Sequence, residues 1–135
     1  MDLRELSVSR PGIAGRHPWE QARADVVEYI LRRNGAAKPG NEGILDFGCG
    51  DAFLANVLTE RFTGSRVSAV DKAFTPEVRT RIEPALGDRV RLFDSMESAE
   101  SAGLAASLVL LLDVLEHCEQ DVQTLERVVE SRAVK

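Results

Sequence analysis

The sequence predicts an α/β fold: an open, Rossmann-like parallel sheet of about four strands with flanking helices. Short apolar runs alternate with segments whose apolar residues recur at helical spacing, the pattern of parallel strands joined by helical crossovers. The first run ends in an acid and a tight pair of glycines, at Asp46, Gly48 and Gly50. The fourth run, residues 107–112, is almost wholly apolar, as expected of a strand covered on both faces.

A helix comes first in the predicted order. Pro18 suits the first turn of a helix, and Asn34 with Gly35 provides its end. Its apolar positions are Trp19, Ala22, Val26, Ile30 and Leu31. Their spacing predicts a helix of about four turns, and Trp19 is expected to anchor it by packing.

Four strands and further helices follow. The predicted strands span residues 43–47, 66–70, 89–93 and 107–112. A helix over 53–62 follows the first strand, Thr75 and Pro76 open a second, a loop or brief helix comes after the third strand, and 122–129 carry the last helix. Right-handed crossovers between parallel strands then give the spatial order 3-2-1-4.

Composition indicates one globular domain and argues against several partners. At 135 residues the chain fits one domain, and its net charge of -5 argues against the basic face that nucleic-acid binding needs. Its two cysteines are far apart, which predicts no disulfide, no metal site and free thiols in a reducing cytoplasm. The longest apolar segment, about 12 residues, is too short for a membrane helix. We expect an N-terminal arm over residues 1–17 and the domain over 18–135.

Acids stand in or at the end of all four predicted strands. They are Asp46, Asp71, Asp94 and Asp113. Because the carboxyl ends of parallel strands share one rim, these acids are expected to converge above the glycine turn at 48–50. An acid after a strand is also a common turn or cap residue, so each one alone has an ordinary structural explanation. Their shared register with the glycines favours a site for a nucleotide-like ligand.

Two motifs resemble those of the class I methyltransferases that use S-adenosylmethionine. Residues 45–50, Leu-Asp-Phe-Gly-Cys-Gly, are similar to the first motif of that family. Residues 113–117, Asp-Val-Leu-Glu-His, resemble the segment after the fourth strand in many small-molecule members. The resemblance covers roughly residues 18–131. It implies S-adenosylmethionine as cofactor and methyl transfer to a small-molecule acceptor.

The resemblance also implies roles for individual residues. Asp46 would fix the glycine loop or meet the methionine ammonium through water, and Asp71 would accept the ribose hydroxyls. Asp94 would accept from the adenine amino group, and Asp113 would lie near the methyl donor. The implied cofactor-binding set is Asp46, Phe47, Gly48, Cys49, Gly50, Asp71, Lys72, Asp94, Ser95, Met96, Asp113 and Val114.

His117 is the candidate catalytic residue, because a general base is needed where the acceptor arrives protonated. A structural alternative stays open, in which His117 caps or packs the start of the last helix and Glu116 favours the N-terminus of that helix. At the first helix, His17 and Arg23 could close over the methionine carboxylate, although Arg23 equally suits a solvated position.

The family's sheet has seven strands, so a four-stranded sheet leaves the fourth strand at an exposed edge. We expect either that the 135 residues are a truncated domain or that a partner covers this edge, most simply a second copy in a homodimer. A non-catalytic adenosyl-binding or interaction module stays open as an alternative function. NAD-dependent oxidoreduction is disfavoured because Phe53 stands where the Gly-x-Gly-x-x-Gly pattern has its third glycine. Ala52 replaces a third glycine that is frequent in the methyltransferase family, and it is expected to suit the first helical turn.

Overall fold

The computed structural model describes residues 16–36 and 43–135. In chain order its elements are α1 Pro18–Arg33, β1 Gly43–Phe47, α2 Phe53–Arg61, β2 Val67–Val70, α3 Pro76–Leu86, β3 Val90–Phe93, α4 Met96–Ser101, β4 Ala106–Leu111 and α5 Asp121–Glu130. Short 3₁₀ turns, Gly87–Arg89 and Leu115–His117, follow α3 and β4. The predicted elements are thus confirmed, whereas the predicted arm lies outside the described residues except at its last two positions. No helix within these ranges is both long and apolar enough to cross a membrane.

The four strands form one parallel sheet in the order β3-β2-β1-β4, which confirms the prediction. Phe47 at the end of β1 pairs with Val70 of β2 and with Leu111 of β4, and Val70 pairs with Phe93 of β3. The carboxyl ends of all four strands therefore lie along one rim. The residues that directly follow each strand therefore lie at that rim.

Apolar clusters cover the sheet on both faces. On one face, Val27 of α1 and Leu58 of α2 pack with Ile44 of β1. On the other face, Met96 of α4 packs with Leu45 of β1. Successive residues of β1 therefore point to opposite faces, as strand geometry requires.

The buried face of α1 differs from the predicted one. The residues it buries are Ala24, Val27 and Leu31. Trp19 is 61% exposed, so its predicted role as a packing anchor is wrong. The helix carries two apolar faces, and the buried one contains Ala24 and Val27; of the predicted positions it includes Leu31 alone. His17 caps this helix, since its Nδ1 accepts the N–H of Trp19 at 3.2 Å and its own N–H donates to Glu20 at 3.2 Å.

α5 contacts α4 through polar side chains and buries little apolar surface. Its apolar side chains are exposed except at Val128. Arg127 pairs with Glu97 of α4 at 2.5 Å, and the Ser131 hydroxyl donates to Glu100 at 2.6 Å. α5 therefore lies on the same face of the sheet as α4.

β4 is an edge strand and is only partly buried, contrary to the expectation of coverage on both faces. Ala106 and Leu110 are buried, whereas the residues between them are exposed or half-buried. The first residue of the edge is covered by the end of the chain, because the Ala106 N–H donates to the Ala133 carbonyl at 2.7 Å and the Lys135 N–H donates to the Ala106 carbonyl at 2.8 Å. Val134 thereby forms a parallel bridge with Ala106.

Candidate functional site

The turn after β1 requires glycine for its own geometry. Gly48 has φ +71°, a conformation that side chains with a Cβ rarely adopt. A Cβ placed there would lie 2.5 Å from Cγ2 of Val114, which packs directly against the turn. The Gly48 N–H donates to the Val70 carbonyl at 2.8 Å. Close packing against Val114 and a positive φ thus both select glycine at 48.

Asp71 ties the end of β2 to this turn. One of its oxygens accepts the Gly50 N–H at 2.8 Å, and the other accepts the Ala73 N–H at 2.8 Å. The Asp71 N–H donates to the Phe93 carbonyl at 3.0 Å, so Asp94 comes next along the rim. The expected convergence of strand ends on the glycine turn is therefore confirmed for Asp71.

A cleft of about 350 Å³ opens beside the turn, between α1, β1, α2 and the segment after β4. Its lining residues are Trp19, Glu20, Arg23, Asp46, Gly48, Cys49, Asp51, Phe53, Leu54, Leu112, Asp113, Glu116 and His117. Of the predicted site residues, the cleft brings together Asp46, Gly48, Cys49, Asp113 and His117.

Asp46 is the most unusual group in the cleft. It is only 3% exposed, and its Oδ2 has no hydrogen-bond partner among the described residues. Burial raises the pKa of its carboxyl from 3.8 to about 7; the nearby charge of Arg23 opposes this rise, and those of Asp71 and Asp51 add to it. A buried carboxylate without a partner is costly, so this atom marks a place where a ligand can supply one.

Arg16, which precedes α1, and Arg23 within it attach the helix to the rim. The Arg16 guanidinium pairs with Asp51 and lies over the Phe53 ring, 4.5 Å from its centroid. Arg23 pairs with Asp113 at 2.8 Å. The N-terminal half of α1 is thereby placed across the turn and forms one wall of the cleft.

Both non-glycine residues with positive φ in the described ranges adjoin the cleft. They are Ala52, φ 60°, and Asp113, φ 52°. Ala52 is the N-cap of α2 in the left-handed conformation, so the expectation that it sits in the first helical turn is wrong. Such conformations cost roughly 1–3 kcal/mol and cluster at functional sites. Aspartate tolerates this region better than most residues, which explains its use at 113.

The mouth of the cleft carries an aromatic ring, an imidazole and a carboxylate. Trp19, Glu116 and His117 all line the cleft and are exposed. His117 lies in the 3₁₀ turn after β4, with its N–H donated to the Val114 carbonyl at 3.0 Å. The N-cap of α5 is Gln120, so His117 does not cap that helix.

The cleft is acidic. Its carboxylates are Glu20, Asp46, Asp51, Asp113 and Glu116. Arg16 pairs with Glu20 and Asp51, and Arg23 with Asp113, whereas Asp46 and Glu116 form no ion pair with any described residue. The site therefore favours a ligand with positive charge. Within residues 16–36 and 43–135, no group of three or more His, Cys, Asp or Glu side chains is arranged to hold a metal ion.

The remaining predicted site residues lie outside the cleft. Lys72 and Asp94 are exposed on the rim, and Phe47 is half-buried at the end of β1. Ser95 caps α4 by accepting the Ser98 N–H at 3.1 Å. Met96 is buried in the core under α4. Gly50 and Val114 support the turn through the contacts with Asp71 and Gly48 described above. His17 is engaged in capping α1 and does not line the cleft.

Sequence reasoning missed some lining residues. They are Glu20, Asp51, Leu54 and Leu112. Asp51 directly follows the glycine turn, and its Oδ1 accepts the Phe53 N–H at 3.1 Å, so its position beyond Gly50 is a signal that could have found it. Glu20 stands three residues after His17, the spacing of a capping box, but nothing in that spacing indicates a cleft.

Comparison with known proteins finds similar folds. No protein-family model and no curated protein matches the chain. The methyltransferase domain of bacterial CtHen1-CN is similar at 21% identity and a TM-score of 0.63 over 85% of this chain, and that of CtHen1-C at 20% and 0.60 over 83%. The chain spans 62% and 60% of the lengths of those two chains. It therefore has the α/β, Rossmann-like fold of methyltransferase domains.

Proposed function

We propose that the cleft binds S-adenosylmethionine and that the chain serves methyl transfer to a small-molecule acceptor. One observation carries the proposal: Oδ2 of Asp46 is buried at the cleft without a partner among the described residues. An ionised carboxylate pairs most strongly with a charged donor. The methionine part of the cofactor has such a donor in its ammonium group.

Other residues of the rim fit the rest of the cofactor. Asp71 accepts two backbone N–H groups and keeps lone pairs for the ribose hydroxyls. Asp94 lies further along the rim, where hydrogen bonding with Ser98 and then Ser95 lowers the pKa of its carboxyl. It is therefore an ionised acceptor suited to the adenine amino group. Arg23 offers a guanidinium for the methionine carboxylate.

The chemistry needs orientation above all. When bound, the cofactor supplies a methyl group activated by a positive sulfur. The wall of α1 and the turn at 48–50 hold the two reactants in a fixed relation, and such orientation can lower a barrier by about 7–11 kcal/mol. His117, at the mouth, takes a proton from an acceptor that arrives protonated.

The cysteines take no part in this chemistry. Cys49 lines the cleft, but its burial raises the pKa of the thiol and keeps it protonated. Both Cys49 and Cys118 are free thiols. Free thiols are typical of proteins in a reducing compartment, and we propose that the protein is located in the cytoplasm.

Calorimetry with S-adenosylmethionine and S-adenosylhomocysteine tests the binding. We expect both to bind the native chain, and we expect Asp46→Asn to weaken S-adenosylmethionine binding at least tenfold because the charge that meets the ammonium is lost. Asp88→Asn is the matched control, since Asp88 is an exposed acid in the turn after α3. An unbound cofactor, or binding of NAD in its place, would contradict the proposal.

Turnover is tested separately, with methyl-labelled cofactor and a metabolite extract as the source of acceptors. We expect label in a small molecule, and a rate for His117→Ala that is lower by roughly 10²–10⁴-fold with cofactor affinity unchanged. Cofactor binding without any transfer would favour the alternative of a non-catalytic adenosyl-binding module.

A further inference from the structure

The exposed large apolar side chains of the described residues lie on only two helices. They are 41% to 65% exposed, and they are Trp19, Val26, Tyr29 and Ile30 on α1 and Val122, Leu125 and Val129 on α5. We call these seven side chains, together with segment 108–111 of β4, the apolar flank. Large exposed apolar patches on soluble proteins mark interaction sites.

The two helices border β4 on opposite faces of the sheet. Val27 and Leu31 of α1 belong to the same cluster as Leu110 of β4. On the other face, Val109 packs with the cluster that contains Ala133, three residues after the end of α5. The apolar flank therefore combines exposed side chains from one helix on each face of the sheet with the edge strand that both helices border.

The edge itself can accept a strand. Residues 133–135 pair with β4 at Ala106, and segment 108–111 continues beyond that bridge as part of the outermost strand of the described sheet. Proteins usually protect an edge strand with charges, proline or a covering element. Residues 106–112, Ala-Ser-Leu-Val-Leu-Leu-Leu, contain neither charge nor proline.

We propose that the apolar flank binds a second copy of this chain, with the two β4 strands paired antiparallel about a two-fold axis perpendicular to the sheet. This axis keeps like helices on the same face, so α1 meets α1 and α5 meets α5. Because the contact joins identical surfaces, it closes on itself and does not propagate into filaments. The two sheets become one continuous sheet.

The size of the flank fits a dimer. Half-exposed side chains of this kind contribute roughly 100 Å² each, so the seven and the strand edge together approach the roughly 800 Å² that each partner buries in a standard interface. Glu126 and Glu130 are exposed on α5 beside its stripe. Like charges then face each other across the axis, and we expect salt to strengthen the dimer by screening them.

Sedimentation velocity over a concentration series tests the proposal on the full chain. We expect a species of twice the 14.8 kDa chain mass at tens of micromolar. Val26→Glu and Val129→Glu should each raise the dissociation constant at least tenfold, and the double variant should be monomeric. Ala85→Glu, at an exposed position of α3, is the matched control and should leave the dimer unchanged. Circular dichroism shows whether each variant is folded.

Hydrogen exchange identifies the strand pairing. Amides of segment 108–111 should exchange more slowly in the dimer than in the double variant, an effect that contact between helices alone would not produce. A native chain that stays monomeric at 100 µM, a dimer that persists in the double variant, or a flank that binds only a different protein would overturn the proposal. No cofactor enters these measurements, so their failure leaves the proposed methyl transfer untouched.

Discussion

The floor and the wall of the cleft are held by different kinds of interaction. The floor consists of buried β1 and the turn at 48–50, fixed by backbone N–H groups that donate to the Val70 carbonyl and to Asp71. The wall is the N-terminal half of α1, which reaches the rim through ion pairs of Arg16 and Arg23. One part of the cleft is made by the backbone and the other by long side chains.

Because of this difference, the floor and the wall contribute differently to the stability of the domain. Buried backbone hydrogen bonds are not screened by salt, and losing one leaves an unpaired group in the interior. Ion pairs between partly exposed side chains contribute about 0–1 kcal/mol and weaken as ionic strength rises. We therefore expect substitutions in the floor to change the stability of the whole domain and substitutions in the wall to change it little.

The largest effect is expected at Asp46, in the floor. Burial raises the pKa of its carboxyl from 3.8 to about 7, so between these values the folded chain binds a proton that the unfolded chain has released. Its contribution therefore makes the domain less stable as pH rises from about 4 to 7. At pH 8 the free energy of unfolding of Asp46→Asn, measured by urea denaturation, should exceed that of the native chain by about 3–4 kcal/mol. At pH 4 the two free energies of unfolding should be similar.

Asp88→Asn serves as the control for this comparison, because that acid is exposed and its removal should leave the pH dependence in place. Should the stability difference between the native chain and Asp46→Asn stay constant from pH 4 to pH 8, Asp46 would have an ordinary pKa. The floor would then hold no unpaired charge. Gain of stability with loss of cofactor affinity is the combination expected of a residue kept for binding.

The next effect is expected at Gly48. Alanine there must adopt φ +71° and bring its Cβ against Val114, which we expect to cost about 3 kcal/mol in the free energy of unfolding. Gly103→Ala is the matched control, since Gly103 has φ +68° and a Cβ added there would meet open space out to 4 Å. It should lose only about 1 kcal/mol, the cost of the backbone conformation alone. Equal losses in urea denaturation would mean that Val114 moves aside freely.

Much of the floor could be predicted from sequence, because it depends on local signals. Apolar runs that alternate with helical segments predict where the strands end, and the ends of parallel strands share one rim. These two signals locate the apolar run that ends at Asp46, the glycines after it and the acid after β2. These features need no knowledge of which side chains meet across the chain. The strand order also followed, since right-handed crossovers leave few alternatives.

The wall could not be predicted, for two physical reasons. Helical spacing fits two faces of α1, one with Val26 and one with Val27, and only packing against α2 and the sheet decides which is buried. The pairing of Arg16 with Asp51 joins residues 35 apart, and a chain with many charges offers no signal for such a pair. Outside the wall, the conformation of Ala52 was not predictable either, because its φ of 60° is imposed by the turn and not by its own preference.

Arg16→Gln should produce a moderate effect in the wall. It removes the ion pairs with Asp51 and Glu20 and the stacking on Phe53, for a loss of about 1 kcal/mol in thermal or urea unfolding. Arg32→Gln is matched, because Arg32 also has an ion pair and lies over a ring, that of Phe62, away from the cleft. Both variants should lose similar stability, and only Arg16→Gln should weaken cofactor binding. If Arg16→Gln and Arg32→Gln bound the cofactor with equal affinity, the wall would not contribute to cofactor binding.

The smallest effect is expected for the coupling between Arg23 and Asp113, which tests most directly whether the wall is held more weakly than the floor. Asp113 is about half exposed, so solvent screens the pair, and a double-mutant cycle of Arg23→Gln with Asp113→Asn should give a coupling of about 0.5 kcal/mol at low salt and none at 0.5 M salt. Asparagine is chosen because it tolerates the positive φ at 113. The same cycle on Arg127 and Glu97 should give no more. A coupling above about 2 kcal/mol that persists in salt would contradict this expectation. The wall would then stabilise the fold as the floor does, and the cleft could not open without destabilising the domain.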